Sequence, residues 1–319
     1  MMHKLIKSAA ITLIVATVAF GKVGAELHGI KGDHEHAFMK VLEAMESKGY
    51  VLSDPHERIN DGYKTKYGTE TLDNLGFFST AHDEKLRDII NAYPKIGGFS
   101  PFNMHIYMYS KKSELYDGIT WYGHVKPETM ADIVGLKDKK LREDFVRSFD
   151  DLDKLAKDML KPTETKVFEY DKLPAKPMME FTVAFEGEVG DFAEEFQEKW
   201  EGAFEDHAYI VAGYKNFKEA YDDMGKPINY DAYWVYSLCH FEFSNGVFQN
   251  RADSGIFAPC AVYMYVKPGE KVLHIGMPLL ENWIVVNGIT NKKHIAAIRA
   301  IDAEIIEIFT NELNAKKVN

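Results

Sequence analysis

Imidazole gains and loses a proton near neutral pH, so a histidine that recurs in one local pattern is a first candidate for chemistry. Ser79-x-x-His82 recurs as Ser237-x-x-His240 at an offset of 158 residues. Each histidine closes an apolar and aromatic run, Leu75 to Ala81 and Tyr233 to Cys239, and so stands at the end of a core strand. An imidazole there serves as general base, metal ligand or haem ligand or, more ordinarily, caps the helix that follows. A second set is His34 and His36, alternating with Asp33 and Glu35 and with His28 close by. Such a tract can hold a transition metal through imidazole nitrogen. Residues two apart diverge on a helix, so the stretch also fits a solvated helix start with Asp33 as N-cap.

A third set is aromatic. His105, Tyr107 and Tyr109 alternate with Met104, Ile106 and Met108, giving a strand with one apolar and one half-polar face. Trp121 and His124 join that half-polar face in this reading, and Tyr263, Tyr265 and His274 are its counterparts. These residues would line a site for a small apolar or flat ligand such as haem, or pack two parts of the chain together, the commoner use of half-buried aromatics. Cys239 and Cys260 fall on segments read as neighbouring strands, and form one disulfide in an oxidising compartment or stay a free buried pair. The acidic runs Asp150-Asp151-Leu152-Asp153 and Asp222-Asp223 fit solvated helix faces rather than a calcium loop. HExxH, CxxC, GxSxG and the glycine loops for phosphate or dinucleotide are absent, so no reaction is named by motif.

The elements that must position these residues occur twice. At the offset of 158, Gly97 falls on Gly255, Phe99 on Phe257 and Pro101 on Pro259. A two-residue slip then sets Tyr107-Met108-Tyr109 on Tyr263-Met264-Tyr265. Gly123 meets Gly276 and Leu160 meets Leu313 at 153, and Phe38 to Tyr50 parallels Phe192 to Phe204 at 154. A collinear series of this length implies two copies of one domain, at 26–160 and 179–319, rather than small repeats. Residues 161–178, with Pro162, Pro174 and Pro177, read as a semi-extended linker.

Each copy opens with a helix (Phe38, Val41, Leu42 and Met45, then Gly49, in the first) and closes with a long amphipathic one. The closing helices are marked by Leu141, Phe145, Phe149, Leu152, Leu155 and Met159, and by Ile295 to Leu313. Between them lie strand patterns, with Glu26 to Gly32 a poorer strand than Met179 to Phe185. The fold class is α+β, helices on one face of an antiparallel sheet.

The net charge of −11 on 319 residues argues against nucleic acid and anionic membrane as partners. Lys4 and Lys7, the uncharged stretch from Ser8 to Gly21, and small-residue cleavage patterns before Lys22 and Glu26 make residues 1–25 a signal peptide. The expected destination is the periplasm, with no membrane insertion after cleavage.

The segment Glu43-Ala44-Met45-Glu46-Ser47-Lys48-Gly49-Tyr50-Val51-Leu52 resembles the opening of the domain-of-unknown-function 302 family. So does the run from Phe77 through His82 and Leu86 to Pro94, Gly98 and Pro101, then the Tyr107 strand. Ile256-Phe257-Ala258-Pro259-Cys260-Ala261-Val262 resembles the family's proline-cysteine entry into a strand. Where the family often carries Asn-Pro, this chain has His82-Asp83 and His240-Phe241. The resemblance implies a fold like that of the TATA-box-binding protein, a curved antiparallel sheet with two helices on one face, in two tandem copies. It implies no established reaction, cofactor or substrate. The functional expectation is a non-catalytic small-molecule binding or carrier module, its ligand at the domain interface or on a concave sheet face. The alternatives are a haem or metal binding or chaperone protein built on the histidines, and an enzyme with His82 or His240 as acid-base.

Overall fold

Residues 21–318 are described by a computed structural model; the segment read from the sequence as a signal peptide lies, up to residue 20, outside the described residues. The first half runs β1 (Lys22–Lys31), α1 (Glu35–Met45), β2 (Val51–His56), α2 (Ile59–Tyr67), β3 (Leu72–Ala81), α3 (Asp83–Ala92), β4 (Phe102–Tyr109), β5 (Ile119–Val125), α4 (Pro127–Val134), α5 (Lys139–Arg147), α6 (Asp150–Leu160) and β6 (Glu164–Tyr170). The second runs β7 (Met178–Ala184), α7 (Val189–Asp206), β8 (Tyr209–Asn216), α8 (Phe217–Asp223), β9 (Ala232–His240), α9 (Phe241–Arg251), β10 (Cys260–Val266), β11 (Val272–Pro278), α10 (Glu281–Val286), α11 (Lys292–Glu307) and β12 (Lys316–Lys317).

Two six-stranded antiparallel sheets result, ordered β2-β3-β4-β5-β1-β6 and, from the matching edge, β8-β9-β10-β11-β7-β12. The strand order is the same in both. Ladder registers correct one alignment. His105 lies opposite Gly123 and Tyr263 opposite Gly276, so His105 corresponds to Tyr263 and Tyr107 to Tyr265. The offset of 158 therefore holds to Tyr107 and Tyr265, and the change to 153, a net loss of five residues in the second half, falls in the hairpin connection after them.

The segment read as a linker holds β6, which pairs along β1 from Gly29 to Lys22. Its prolines flank the strand instead of interrupting it, and Glu164, Lys166 and Glu169 suit a sheet edge. β1 is no weak strand either: it is bonded on both sides, to β5 and β6. The first closing helix is two helices. The Ser148 hydroxyl donates back to Phe145 O at 2.6 Å and Tyr50 Oη donates to Ser148 O at 2.5 Å, which interrupts the ladder between α5 and α6.

Helices cover one face of each sheet: Phe38 of α1 packs on Phe78 and Tyr122 at 5.5 and 6.1 Å, and Trp200 of α7 on Tyr236 at 4.2 Å. The other face is covered by the opposite half. The short 3-10 helix Pro94–Phe99 lies on β10, and its counterpart Ala252–Phe257 lies on β4. Gly97 and Gly255 make the close approach. A Cβ on Gly97 would overlap the Tyr233 hydroxyl and sit 2.6 Å from Tyr263 Cβ; one on Gly255 would sit 2.5 Å from His105 Cε1. Gly97→Ala and Gly255→Ala should each cost roughly 1–3 kcal/mol in chemical denaturation. Wild-type stability in both would show that the two 3-10 helices are not seated on the opposing sheets.

Candidate functional site

His82 and His240 do the same job. Each is an N-cap: His82 Nδ1 accepts the Lys85 backbone N–H at 3.4 Å, and His240 Nδ1 accepts that of Phe243 at 3.2 Å. Each meets a tyrosine edge-on, Tyr50 at 5.0 Å and Tyr209 at 4.9 Å. An Nδ1 that accepts leaves the proton on Nε2, and burial, then Lys85, lowers the His82 pKa. His82 is packed with Tyr50 and Gly49 rather than brought to His105 and Tyr107. His240 borders an apolar cavity of about 30 Å³ with Cys239 and Cys260. Both thiols are free, against the disulfide expectation. Cys260 is in register with Leu238, one position off Cys239, so the thiols do not oppose each other across the ladder. Burial pushes the Cys239 thiol up to about 11 and that of Cys260 higher still, away from thiolate chemistry.

His34 and His36 do not converge. The His34 ring lies 3.0 Å from Lys31 O, His36 is exposed, and no group of three His, Cys, Asp or Glu among the described residues is placed to hold a metal ion. The N-cap of α1 is His34; Asp33 instead accepts the Glu35 N–H at 3.0 Å.

The aromatic face is filled by the opposing half. His105 is fully buried between two carbonyls, Nδ1 at 2.9 Å from Gly76 O and Nε2 at 2.8 Å from Ala252 O of the second half. Tyr109 Oη accepts the Ala252 N–H at 3.0 Å. Tyr107 Oη accepts from Lys166 Nζ at 3.0 Å, and that ammonium lies 4.2 Å from the Trp121 ring centre. Tyr263 and Tyr265 face the first half's 3-10 helix, with His274 stacked on Tyr265 at 4.8 Å and 2.9 Å from Glu270. The cavity between Phe99, Phe102, Ile256 and Phe257 measures about 20 Å³, room for one water. A flat ligand such as haem does not fit there, and that expectation is corrected: the ring faces are occupied by packing.

His124 is absent from this face because Trp121 and His124, three apart on β5, point to opposite sides. It joins Glu26, His28 and Asp153 under α6. Its Nε2 lies 2.7 Å from Asp153 Oδ1 and its Nδ1 2.7 Å from Val125 O. Both partners only accept, and because one of them is the Asp153 carboxylate, the doubly protonated imidazolium is the form of His124 that this setting favours. Burial alone would lower its pKa; Asp153 outweighs that and raises it, while the Asp153 carboxyl is held below its ordinary range. With no free nitrogen, the ring is no general base. The second half places Met179, Phe181, Ile275 and Met277 at the four β1 and β5 positions Glu26, His28, Tyr122 and His124, an ordinary apolar core.

Ligand-sized space lies elsewhere. A groove of about 330 Å³ runs beside α2, where Lys64 and Lys112 are both paired to Glu70. A larger cleft, about 460 Å³, opens between α7 and the start of β9. Glu194, Gln197, Glu198 and Glu201 of α7 line it with Asp231, and Trp234 is beneath. Trp234 shares the helix-facing side of β9 with Tyr236, is 2% exposed, and its indole N–H has no partner among the described residues. In the first half that position is Gly76, whose space is taken by Phe78. The one signal in the chain for this cleft is the i, i+4, i+7 spacing of Glu194, Glu198 and Glu201.

Fold and site together define an α+β protein of two like-ordered antiparallel sheets with an acidic cleft in the second. It is structurally similar to the crystal structure of an uncharacterized conserved DUF302 protein from Bacillus stearothermophilus, at 20% identity and a TM-score of 0.32, covering 42% of this chain and 95% of that one. No family model and no curated protein matches. No helix among the described residues is long and apolar enough to cross a membrane.

Proposed function

We propose that this chain is a tandem duplication that works as an exported, periplasmic, non-catalytic small-molecule binding module, with its ligand in the cleft between α7 and β9. One contrast carries the reading: the inter-sheet cavity, at about 20 Å³, has room for no more than a water, whereas the cleft, at about 460 Å³, falls in the range of small-molecule sites. The shared strand order supports duplication. Of the two cleavage positions, the one before Lys22 leaves β1 whole; the one before Glu26 would remove Ala25, which is fully buried and paired on both sides.

The test is native mass spectrometry of protein purified from its own periplasm, beside Gly190→Phe. Gly190 lines the cleft, and a Cβ there meets no atom within 4 Å, so the ring fills the cleft without displacing the core. Wild type should carry a small-molecule adduct that the variant lacks. An adduct equally present in Gly190→Phe would overturn the site.

A further inference from the structure

We propose that His28 makes the seating of α6 acid-sensitive: a proton taken up by its ring loosens that helix from β1 and β5. The inference does not depend on the cleft. His28 lies under α6 in a cavity of about 20 Å³, too small for a ligand larger than water, so protein side chains set its environment. Its Nε2 is 3.2 Å from Glu26 Oε1, and the side chain, 14% exposed, is within reach of solvent protons. Glu26 is shared, with Lys126 and Lys157 at 3.7 and 3.8 Å from its carboxylate. From β5 come Tyr122, in register with His28, and the imidazolium of His124; from α6 come Asp153 and Lys157. On the other side β6 sets Thr165 opposite His28 and Val167 opposite Glu26, and α1 turns Phe38, Val41, Leu42 and Met45 inward.

With His28 neutral, the cluster holds three cations, His124, Lys126 and Lys157, against two carboxylates, Glu26 and Asp153. Protonation adds a fourth cation and no anion. Burial, then Lys157, opposes that charge more than Glu26 favours it, which lowers the folded His28 pKa. The unfolded chain therefore takes up the proton near 6.5 and the folded chain only at lower pH, so below 6.5 acid favours states in which the ring is solvated. The raised His124 pKa keeps that neighbour charged over the same range. Lifting α6 is enough to hydrate the ring, because α6 covers it and carries Asp153 and Lys157. The second half has Phe181 and Met277 in place of the two histidines, so the fold itself does not need them.

Amide hydrogen exchange of the purified protein at pH 7.5 and pH 5.0, beside His28→Phe, tests this. Rates at the α6 amides are expressed as protection, so that the intrinsic pH dependence of exchange cancels. On acidification the α6 amides of wild type should lose several-fold more protection than those of His28→Phe, up to about tenfold for each pH unit between the unfolded and folded titration points. His105 and Asp302 titrate in both proteins, so the difference isolates His28. Lys157→Met, at a half-exposed side chain of the helix, removes a cation that opposes the His28 charge and should shrink the wild-type loss. It also carries the test where His28→Phe does not fold. An equal loss in wild type and His28→Phe, unchanged α6 protection in wild type, or a loss in Lys157→Met as large as that of wild type would each overturn the proposal.

Discussion

Acidifying the protein from pH 6.5 to about 4 should remove about 3 kcal/mol of unfolding free energy through His105 alone, at roughly 1.4 kcal/mol per pH unit between the unfolded and folded titration points. Burial is the dominant cause of the lowered value, and it acts on a ring with no carboxylate in contact. The unfolded chain takes up a proton near the ordinary value of 6.5, whereas the folded chain does so only near 4. Between those limits the unfolded state binds more protons, so stability falls as pH falls. The neutral ring has one N–H for two carbonyls, Gly76 O of its own sheet and Ala252 O of the second half. Acid therefore strains the seam between the halves. Other buried groups titrate in the same range, among them Asp302, whose carboxyl burial pushes up to about 7 and whose contribution has the opposite sign. The measurement is thus a difference: urea unfolding of wild type and His105→Phe at pH 7 and pH 4.5. Phenylalanine keeps the stacking with Phe77 and Tyr107. The gap between the two proteins should narrow by about 2 kcal/mol on acidification; a gap independent of pH would show that His105 does not titrate below its ordinary value in the fold.

The seam explains which parts of the molecule are legible in the sequence. Gly97 and Gly255, and the two capping histidines, match at one offset because each half needs the same local geometry against the same neighbour. The misplaced slip in β4 has a plain cause. Tyr-Met-Tyr shifted by two keeps every side chain on its own face, so alternation cannot tell Tyr107 over Tyr263 from Tyr107 over Tyr265. Only the ladder to Gly123 and Gly276 decides. β6 is hidden because an edge strand carries charges where a central strand carries valine and isoleucine. The cleft is hidden for a different reason: it arises where α7 stands over Trp234, two segments more than thirty residues apart, and neither is unusual alone. Grouping His124 with Trp121 is an error of another kind, because strand parity alone places His124 beside Tyr122.

Asp153→Asn should be the more damaging way to break the buried pair in the first half, costing roughly 2 kcal/mol, below the usual range for a fully buried pair because the carboxylate side chain retains 34% exposure. The variant leaves His124, 6% exposed, with two acceptors and no counter-charge. His124→Met should cost less, because the Asp153 side chain that remains can turn to water. The double variant His124→Met, Asp153→Leu should return to within about 1 kcal/mol of wild type, since an apolar pair of similar volume replaces two desolvated charges. The second half already shows that this position accepts a methionine: Met277 is fully buried there. The coupling should also depend on pH from both sides. The folded His124 pKa is raised, so its stabilisation is complete below 6.5 and fades as pH rises through the raised value. The folded Asp153 pKa is lowered, so its share is complete above 3.8 and fades as pH falls through the lowered value. Urea unfolding of wild type, His124→Met, Asp153→Leu and the double variant at pH 5.5 and pH 9.5 closes the cycle and gives the interaction energy at each. It should be largest at pH 5.5. An interaction near zero at pH 5.5 would mean that the imidazolium and carboxylate gain nothing from one another, leaving the first half's polar core without an electrostatic account.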